Sequence, residues 1–257
     1  MKQVSATIMS NTEPMPGVHL VCVEAPDIAY TAKPGQFIMV KCGRNLTLPR
    51  PLSVHQVADS NHVFLLFSVA GKGTYWLSQC QEGETLDMLG PLGNFFSVEP
   101  DARNLLLVAG GIGIAPLTFL AQQALAQGKS VTLLLGARTA TGLYPQELLP
   151  HGIRTIVTTE DGSTNRKGMV TDILPDFIDW ADQIYACGPL NMYQTIATQR
   201  QQWQATKPIQ VSLELRMGCG LGACYGCSIK TRHGMKQICH DGPVFNLEEV
   251  LWHEVKI

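Results

Sequence analysis

Four cysteines near the C-terminus have types and spacing that suit metal chemistry. Cys219, Cys224 and Cys227 form a C-x4-C-x2-C segment, and Cys239 follows after eleven further residues. Thiolates this close together suit a metal, and this spacing is typical of plant-ferredoxin-type [2Fe–2S] clusters. The interleaved glycines permit positive φ angles and let backbone N–H groups turn toward the sulfurs. The sequence therefore predicts a [2Fe–2S] cluster, and a structural zinc ion held by four cysteines is the alternative.

A glycine-rich segment between a predicted strand and helix suits a phosphate group. Gly111-Ile-Gly113-Ile-Ala-Pro116 follows the apolar run Leu105–Ala109. Glycines at such a turn let a pyrophosphate approach backbone N–H groups, and the helix dipole favours its negative charge. Two features depart from the ordinary dinucleotide fingerprint: Pro116 replaces the third glycine, and the next strand ends in Gly136-Ala-Arg138 without an acidic residue. A tight turn without a ligand is the alternative for this motif alone.

Two segments in the first third of the chain could hold another phosphate. Arg50-Pro51-Leu52-Ser53 supplies a cation and a hydroxyl at a strand end. Gly73-Thr74 supplies a hydroxyl beside the exposed N–H groups of a helix start. A surface ion pair or a helix cap would explain each segment separately. Their order along the chain, ahead of the glycine-rich turn, favours a nucleotide-type ligand.

The elements that position these residues divide the chain into three parts. Short strands bounded by Gly and Pro, up to about residue 97, predict an antiparallel β-barrel. A continuous apolar strand, an amphipathic helix and a second strand then form a βαβ unit, which predicts a doubly wound parallel α/β domain. The predicted domains are a barrel at 1–98, an α/β domain at 99–207 and a small cluster domain at 208–257. Alternation at Val4, Ala6 and Ile8 indicates the first strand of the barrel, and a short helix is predicted at 73–81. The cluster domain is predicted to begin with a strand at 210–215. Its loop 217–227 is uncharged, and Met217, Leu221 and Tyr225 give it an apolar character.

Composition excludes several classes of protein. Hydrophobic residues make up 45 % of the 257 residues and charged residues 16 %, which indicates a well-packed globule. The formal net charge of −2 predicts neither a nucleic-acid-binding nor a membrane-binding surface. The N-terminal segment lacks an apolar core of signal-peptide length, so a cytoplasmic location is expected. Cys22, Cys42 and Cys80 are therefore predicted to be buried free thiols.

The order of these motifs resembles that of the ferredoxin–NADP reductase superfamily over residues 1–207. The matching segments are Arg50–Ser53, Gly73-Thr74, Gly111–Pro116 and Cys187-Gly188-Pro189. The whole chain, with Gly90-Pro-Leu-Gly-Asn94, Thr159-Glu-Asp-Gly162 and the four cysteines, is similar to the electron-transfer subunits of NAD-dependent (class 1B) dihydroorotate dehydrogenases. Related sulfide-dehydrogenase-type flavoproteins usually have Asp at the first ligand position, so Cys219 argues against that branch.

This resemblance implies which residues contact cofactors. The barrel is expected to bind FAD through Arg50, Pro51, Leu52, Ser53, Leu66, Phe67, Ser68, Gly73 and Thr74. Gly111, Gly113 and Gly188 are expected to face NAD, with Cys187 near the position of hydride transfer. A plain buried thiol is the alternative for Cys187. Arg138 is expected to meet either the adenosine or a 2′-phosphate, and the second case would indicate NADP.

The resemblance also implies the activity and the partner. An FMN-containing catalytic subunit would oxidise dihydroorotate in pyrimidine biosynthesis. The two kinds of subunit would form a heterotetramer with two copies of each. Electrons would pass through the cluster and FAD to NAD⁺, because a flavin can exchange both single electrons and hydride. Three alternatives stay open: a stand-alone NAD(P)H reductase, a sulfide-dehydrogenase-like subunit serving another carrier, and a non-catalytic sensor or zinc module.

Overall fold

The N-terminal part of the chain closes into an antiparallel barrel. The computed structural model describes residues 1–43, 46–203 and 207–255. The barrel strands are β1 (Lys2–Met15), β2 (Val18–Glu24), β3 (Phe37–Val40), β4 (Arg50–Ala58), β5 (His62–Ser68) and β6 (Thr85–Leu92). Their order around the barrel is β1-β2-β5-β4-β3-β6. Ala6 and Ile8, whose alternation predicted the first strand, point inward and are at most 1 % exposed.

Two short helices lie in the loops of the barrel, α1 (Pro26–Ala29) and α2 (Lys72–Ser78). The second of these begins at Lys72 and contains the Gly73-Thr74 segment in its first turn, close to the helix predicted at 73–81. Thr74 Oγ1 accepts hydrogen bonds from the N–H groups of Ala70 at 2.9 Å and Gly71 at 3.2 Å. Thr74 therefore acts as the helix cap that was one of the alternatives for this residue.

A mostly parallel sheet follows the barrel. Its elements are β7 (Asn104–Gly110), α3 (Ile114–Ala126), β8 (Ser130–Ala137), β9 (Arg154–Thr159), α4 (Val170–Ile173), β10 (Gln183–Cys187), α5 (Leu190–Arg200) and β11 (Ile209–Ser212). Strands β11, β10, β7, β8 and β9 lie side by side in that order and are parallel. The predicted fold class, a barrel followed by a doubly wound domain, is confirmed. Among the described residues, no helix is both long and apolar enough to cross a bilayer.

The C-terminal segment is partly built into the same sheet. It contains the hairpin β12 (Ser228–Thr231) and β13 (Gly234–Gln237), and then β14 (Val244–Asn246). Strand β14 pairs antiparallel with β11 at the edge of the six-stranded sheet. Both strands lie beyond residue 207, where the sequence places the domain boundary. The sheet therefore continues past that boundary, and the boundaries themselves stay a prediction.

All three parts of the chain contribute to one hydrophobic core. It includes Met39 and Leu92 from the barrel, Val108 from the sheet, and Met217 and Cys227 from the C-terminal segment. Because these side chains pack together, the barrel, the sheet and the cysteine segment hold fixed positions relative to one another. The predicted free thiols Cys22, Cys42 and Cys80 are buried and unpaired.

A buried histidine joins the barrel to the sheet. The His55 side chain, on β4, is fully buried, and its Nδ1 lies 3.0 Å from the carbonyl oxygen of Ala115 in α3. Its Nε2 lies 2.9 Å from the hydroxyl of Tyr144. Burial lowers the pKa of His55 to about 4. The ring is therefore neutral near pH 7, and since a carbonyl only accepts, Nδ1 donates while Nε2 accepts from Tyr144.

Candidate functional site

The four cysteines come together as two pairs. The Cys219 and Cys224 side chains lie near each other, and so do those of Cys227 and Cys239. The backbone N–H of Cys239 also donates to Cys227 Sγ at 3.4 Å. The two pairs are adjacent, because the consecutive N–H groups of Leu221 and Gly222 reach Cys219 Sγ in one pair and Cys239 Sγ in the other. Two adjacent pairs of thiolates fit a two-iron cluster, in which each iron takes two protein ligands.

Backbone N–H groups are directed at these sulfurs. Leu221 N–H donates to Cys219 Sγ at 3.4 Å, and Gly222 N–H donates to Cys239 Sγ at 3.1 Å. The Leu221 N–H lowers the pKa of Cys219 to about 6, whereas burial raises the pKa of Cys239 to about 12. Donors aimed at sulfur stabilise the negative charge of a cluster. Within the described part of the chain, no three Cys, His, Asp or Glu side chains surround the position of one metal ion.

The loop that carries the cysteines lies directly on the barrel. Gly220 has a φ of +71°, and a Cβ added there would lie 2.8 Å from Met39 Sδ of β3. Met39 is in register with Pro51 of β4, which belongs to the predicted flavin segment. The loop therefore packs one strand away from the residues that the sequence assigns to the flavin.

Along the chain, exposed apolar side chains flank the most accessible of the four cysteines. Cys224 is exposed, and Leu221 and Tyr225 of the same loop are exposed by 46 % and 73 %. The sequence suggests Met217 as part of this apolar face, but that side chain packs into the core and is only 7 % exposed. Large apolar side chains beside an accessible ligand are typical of a contact surface for another protein.

The predicted flavin residues lie at one end of β4 and β5 and at the start of α2. Gly73 has no side chain, and a Cβ there would lie 2.8 Å from Arg50 Cζ. The Arg50 guanidinium therefore lies on the first turn of α2. Its Nη1 also donates to the carbonyl oxygen of Leu48 at 2.6 Å. Arg50 forms no ion pair with any residue that the structure describes. Its charge is thus available to an anion beside Gly73.

The other predicted flavin residues are less exposed. Because β4 and β5 are antiparallel, the end of β5 lies beside the start of β4. Leu66 and Phe67 are 2 % and 3 % exposed, and Ser68 is half-buried. Leu52 is also buried, whereas Pro51 and Ser53 are half-buried. Leu66 and Phe67 can therefore offer little but backbone atoms to a ligand, and the role of this set stays a prediction.

A cleft of about 690 Å³ opens at the carboxyl ends of the parallel strands. This is the edge at which open α/β sheets bind their ligands. The cleft is lined by residues 110–113, 136–138, 160, 168–171, 187–192, 195 and 214. It therefore contains the predicted residues Gly111, Gly113, Arg138, Cys187 and Gly188.

The two predicted glycines have different surroundings. Gly111 has a φ of +55°, and no atom lies within 4 Å of the place where a Cβ would stand. A Cβ on Gly113 would lie 2.8 Å from Gly188 N and still closer to the carbonyl of Cys187. The backbone of Gly111 is thus accessible from the cleft. Gly113, by contrast, lets the turn between β7 and α3 pack against the end of β10.

Alanine substitutions are expected to separate these two roles. Gly113→Ala should destabilise the protein by about 3 kcal/mol or more, because backbone atoms block the new methyl group. Gly111→Ala should cost roughly 1–2 kcal/mol for the positive φ and should raise the KM for NADH by intruding on the cleft. Urea unfolding and NADH kinetics measure the two effects. Equal losses of stability in both variants would contradict these assignments.

Cys187 is a buried, neutral thiol at the wall of the cleft. It is 1 % exposed, and burial raises its pKa well above the usual value. The adjacent Gly188 N–H donates to Tyr193 Oη at 2.9 Å, and that hydroxyl donates to Ser212 O at 2.6 Å. Cys187 is therefore a packed thiol that lines the cleft, and its place near the position of hydride transfer stays a prediction.

Sequence reasoning missed two carboxylates that line the same cleft, Glu160 and Glu214. The strand predicted at 210–215 includes Glu214. In the structure β11 ends at Ser212, so Glu214 lies outside the strand and lines the cleft. Although its side chain is exposed to the cleft, the protein around it raises the pKa of the Glu214 carboxyl by desolvation. Its charge acts on the nearby Cys187. The signal that the sequence offered for Glu214 was its position near the end of a strand, and that strand, β11, pairs with β10.

Comparisons with known proteins agree with this division of the chain. Residues 107–198 match the oxidoreductase NAD-binding domain, and residues 214–251 match the iron–sulfur cluster binding domain of dihydroorotate dehydrogenase B. The electron transfer subunit of dihydroorotate dehydrogenase B (NAD(+)) from Desulforamulus reducens is 40 % identical over 92 % of this chain and 94 % of its own length. The corresponding subunit from Caldanaerobacter subterraneus subsp. tengcongensis is 41 % identical over 85 % and 87 %.

A solved structure is similar over nearly the whole chain. It comes from work on flavin-based electron bifurcation by the NADH-dependent reduced ferredoxin–NADP oxidoreductase. It is 32 % identical, covers 98 % of this chain and 91 % of its own, and has a TM-score of 0.87. The similarity includes the barrel, the sheet and the cysteine segment together.

Proposed function

The chain belongs to the family of electron-transfer subunits of NAD-dependent dihydroorotate dehydrogenase B, and we propose that it passes electrons from a dihydroorotate-oxidising partner to NAD⁺. The observation that carries this proposal is the common core of the three parts. The cysteine loop packs on Met39 of the flavin barrel, and the same core reaches the sheet below the cleft. Three cofactor sites are thereby held in one rigid unit.

The barrel holds FAD at the start of β4 and the end of β5. Bound FAD supplies the exchange between hydride and single electrons that a nicotinamide and an iron–sulfur cluster require. Arg50 provides the unpaired positive charge for the flavin phosphates, and the glycine at 73 keeps that guanidinium against the first turn of α2. Pro51, Leu52 and Ser53, with Leu66, Phe67 and Ser68, form the adjacent wall.

The C-terminal segment holds the [2Fe–2S] cluster. Cys219 and Cys224 bind one iron, and Cys227 and Cys239 bind the other, following the pairs of adjacent side chains. The N–H groups of Leu221 and Gly222 orient toward the ligating sulfurs and stabilise their charge. The glycines of this loop permit the close approach of backbone to cluster.

The cleft holds NAD. Gly111 leaves room for the pyrophosphate, and Gly113 and Gly188 bring the ends of β7 and β10 together below it. We assign the nicotinamide to the end of the cleft that Cys187 lines. Since its thiol is neutral and buried, we assign it a part in shaping the wall and none in proton transfer.

The partner is an FMN-containing catalytic subunit. The sequence offers no general base placed for oxidation of dihydroorotate, so the carbon chemistry belongs to that subunit. The uncharged loop 217–227 exposes Leu221 and Tyr225 beside Cys224, which suits a surface that the partner covers. The assembly we propose contains two copies of each subunit.

One observation favours a second candidate function. The solved structure with a TM-score of 0.87 belongs to an NADH-dependent ferredoxin–NADP oxidoreductase. The second candidate function is therefore electron transfer between a nicotinamide nucleotide and ferredoxin. Cys219 at the first ligand position, where sulfide-dehydrogenase-type relatives usually have Asp, favours the dihydroorotate dehydrogenase assignment.

Co-expression with the dihydroorotate-oxidising subunit of the same host tests the association. We expect one complex with two copies of each chain in analytical ultracentrifugation. The isolated chain should reduce artificial acceptors with NADH, because its own nicotinamide and flavin sites suffice for that reaction. Two independently sedimenting species would contradict the proposed partner.

A further inference from the structure

A buried tyrosine lies directly behind the wall of the nucleotide cleft. Tyr193 belongs to the first turn of α5 and is 1 % exposed. The residues before it, 187–192, line the cleft, whereas the Tyr193 ring packs into the hydrophobic core. Tyr193 can therefore act on a ligand in the cleft only through the groups that it contacts in the wall.

The hydroxyl of Tyr193 joins the ends of two strands. It accepts a hydrogen bond from the N–H of Gly188 at 2.9 Å and donates one to the carbonyl oxygen of Ser212 at 2.6 Å. Strand β10 ends at Cys187, one residue before Gly188, and β11 ends at Ser212. Burial raises the pKa of Tyr193 well above its usual value, so the hydroxyl keeps the proton that it donates. The two strand ends are thus connected through one oxygen atom.

Gly188 is the point at which this connection reaches the cleft. The pairing of β10 with β7 ends at Cys187 and Ala109, so the strand ladder does not extend to Gly188. A Cβ added to Gly188 would lie 3.1 Å from the Cα of Gly110, the last residue of β7 before the glycine-rich turn. Because the two backbones are this close, the Tyr193 hydroxyl sets how the end of β10 lies against that turn.

The C-terminal segment holds the Tyr193 ring in place. The ring stacks on Trp252, with the ring centroids 5.1 Å apart and the planes 22° from parallel. The indole N–H of Trp252 donates to the carbonyl oxygen of Leu247 at 2.8 Å, and the Gln194 side chain donates to that of Trp252 at 3.1 Å. Because Trp252 is itself fixed, the stacked ring is confined and its hydroxyl has a defined position.

The nicotinamide is assigned to the end of the cleft where Cys187 and Gly188 form the wall. We propose that Tyr193 is a positioning residue for the nicotinamide: it holds the Cys187–Gly188 segment in place from behind, without touching the ligand. A phenylalanine would keep the ring but neither accept from Gly188 nor donate to Ser212. The Gly188 N–H would then turn toward water in the cleft, and the wall would shift with it. The proposal rests on the function assigned above, which places the dinucleotide in this cleft.

Calorimetric titration of the co-expressed holo-complex tests the proposal without any hydride transfer. The two ligands are NAD⁺ and ADP-ribose, which lacks the nicotinamide. We expect the wild type to bind NAD⁺ more tightly than ADP-ribose, since only NAD⁺ reaches the wall at Cys187. In Tyr193→Phe, NAD⁺ should bind about tenfold more weakly, whereas ADP-ribose should keep its affinity.

Tyr144→Phe is the matched control. Tyr144 is 2 % exposed, and its hydroxyl lies 2.9 Å from Nε2 of His55 in the barrel. The variant therefore also removes one hydrogen-bonded hydroxyl from the core, but that hydroxyl contacts the barrel and not the wall of the cleft. It should lower the midpoint of urea unfolding, as Tyr193→Phe does, and leave the ratio of the two affinities unchanged.

A second variant carries the test if Tyr193→Phe fails to fold. Trp252→Leu keeps the Tyr193 hydroxyl and removes the ring that confines it. The ratio of the two affinities should then fall in the same direction by about threefold. An unchanged ratio in that variant would count against the proposal.

The other results would overturn different statements. If NAD⁺ and ADP-ribose weaken equally in Tyr193→Phe, or neither weakens, Tyr193 has no positioning role and the proposed function is intact. Equal affinities of the wild type for the two ligands would also refute that role, because the nicotinamide would then have no fixed place at this wall. Failure of the wild-type complex to bind ADP-ribose at all would refute the nucleotide cleft, and the proposed function with it.

Discussion

Replacing Cys224 with serine is expected to remove the cluster and leave most of the FAD bound. The Cys224 side chain is exposed and pairs with Cys219, so its loss takes one of two thiolates from one iron without opening the core. The predicted flavin contacts lie in the barrel, on β4, β5 and α2, outside the cysteine segment. Iron and acid-labile sulfide should fall from two of each per chain to near zero, as measured by chemical analysis.

The control for this variant is Cys22→Ser, which changes a free buried thiol of β2 in the barrel. It should keep both irons and both sulfides. NADH oxidation with an artificial acceptor should persist in Cys224→Ser, because that reaction needs only the nicotinamide and flavin sites. A Cys224→Ser protein that retains two irons per chain would show that the ligand set is wrong.

Replacing Arg50 with alanine is expected to weaken FAD retention roughly 10- to 150-fold. The guanidinium lies against Gly73 and forms no ion pair with a described residue, so its charge is available to the flavin phosphates. A charge-assisted contact of this kind contributes about 1.5–3 kcal/mol. Titration of the flavin-free protein with FAD, followed by flavin fluorescence, measures the change in dissociation constant.

Lys41→Ala is the matched control for Arg50→Ala. Lys41 is a barrel cation directly after β3, and it forms an exposed ion pair with Asp87 at 3.6 Å. Its loss should leave the affinity for FAD unchanged, since exposed pairs contribute little. Excess FAD should restore part of the NADH oxidation lost in Arg50→Ala. Equal affinity for FAD in wild type and Arg50→Ala would remove Arg50 from the flavin site.

Local patterns predicted much of this fold. The alternation of Ala6 and Ile8 indicated a half-buried strand, and the apolar run at 105–109 indicated a strand covered on both faces, because burial on one or two faces dictates these patterns. The spacing of Cys219, Cys224 and Cys227 predicted sulfurs that lie near one another, since a cluster requires sulfurs within reach of each other, and their role as ligands stays a prediction. Each of these signals lies within a few residues of sequence.

Features that depend on distant pairing escaped sequence reasoning. Strand β14 joins the edge of the sheet only because it meets β11, some thirty residues earlier in the chain. Glu160 enters the nucleotide cleft because the register of β8 and β9 carries it there. Glu214 does so because β11 ends two residues before it. Register and strand ends are set by tertiary packing, which periodicity within one segment does not report.

The central claim is that electrons from the partner reach NAD⁺ only through this chain. Its most direct test is anaerobic mixing of dihydroorotate and NAD⁺ with separately purified subunits, alone and recombined, with orotate and NADH both measured. The account predicts equal amounts of orotate and NADH from the recombined complex and neither product from this chain alone. It predicts no NADH from a complex carrying Cys224→Ser. Orotate formation by the isolated chain, or wild-type NADH formation by the Cys224→Ser complex, would contradict it.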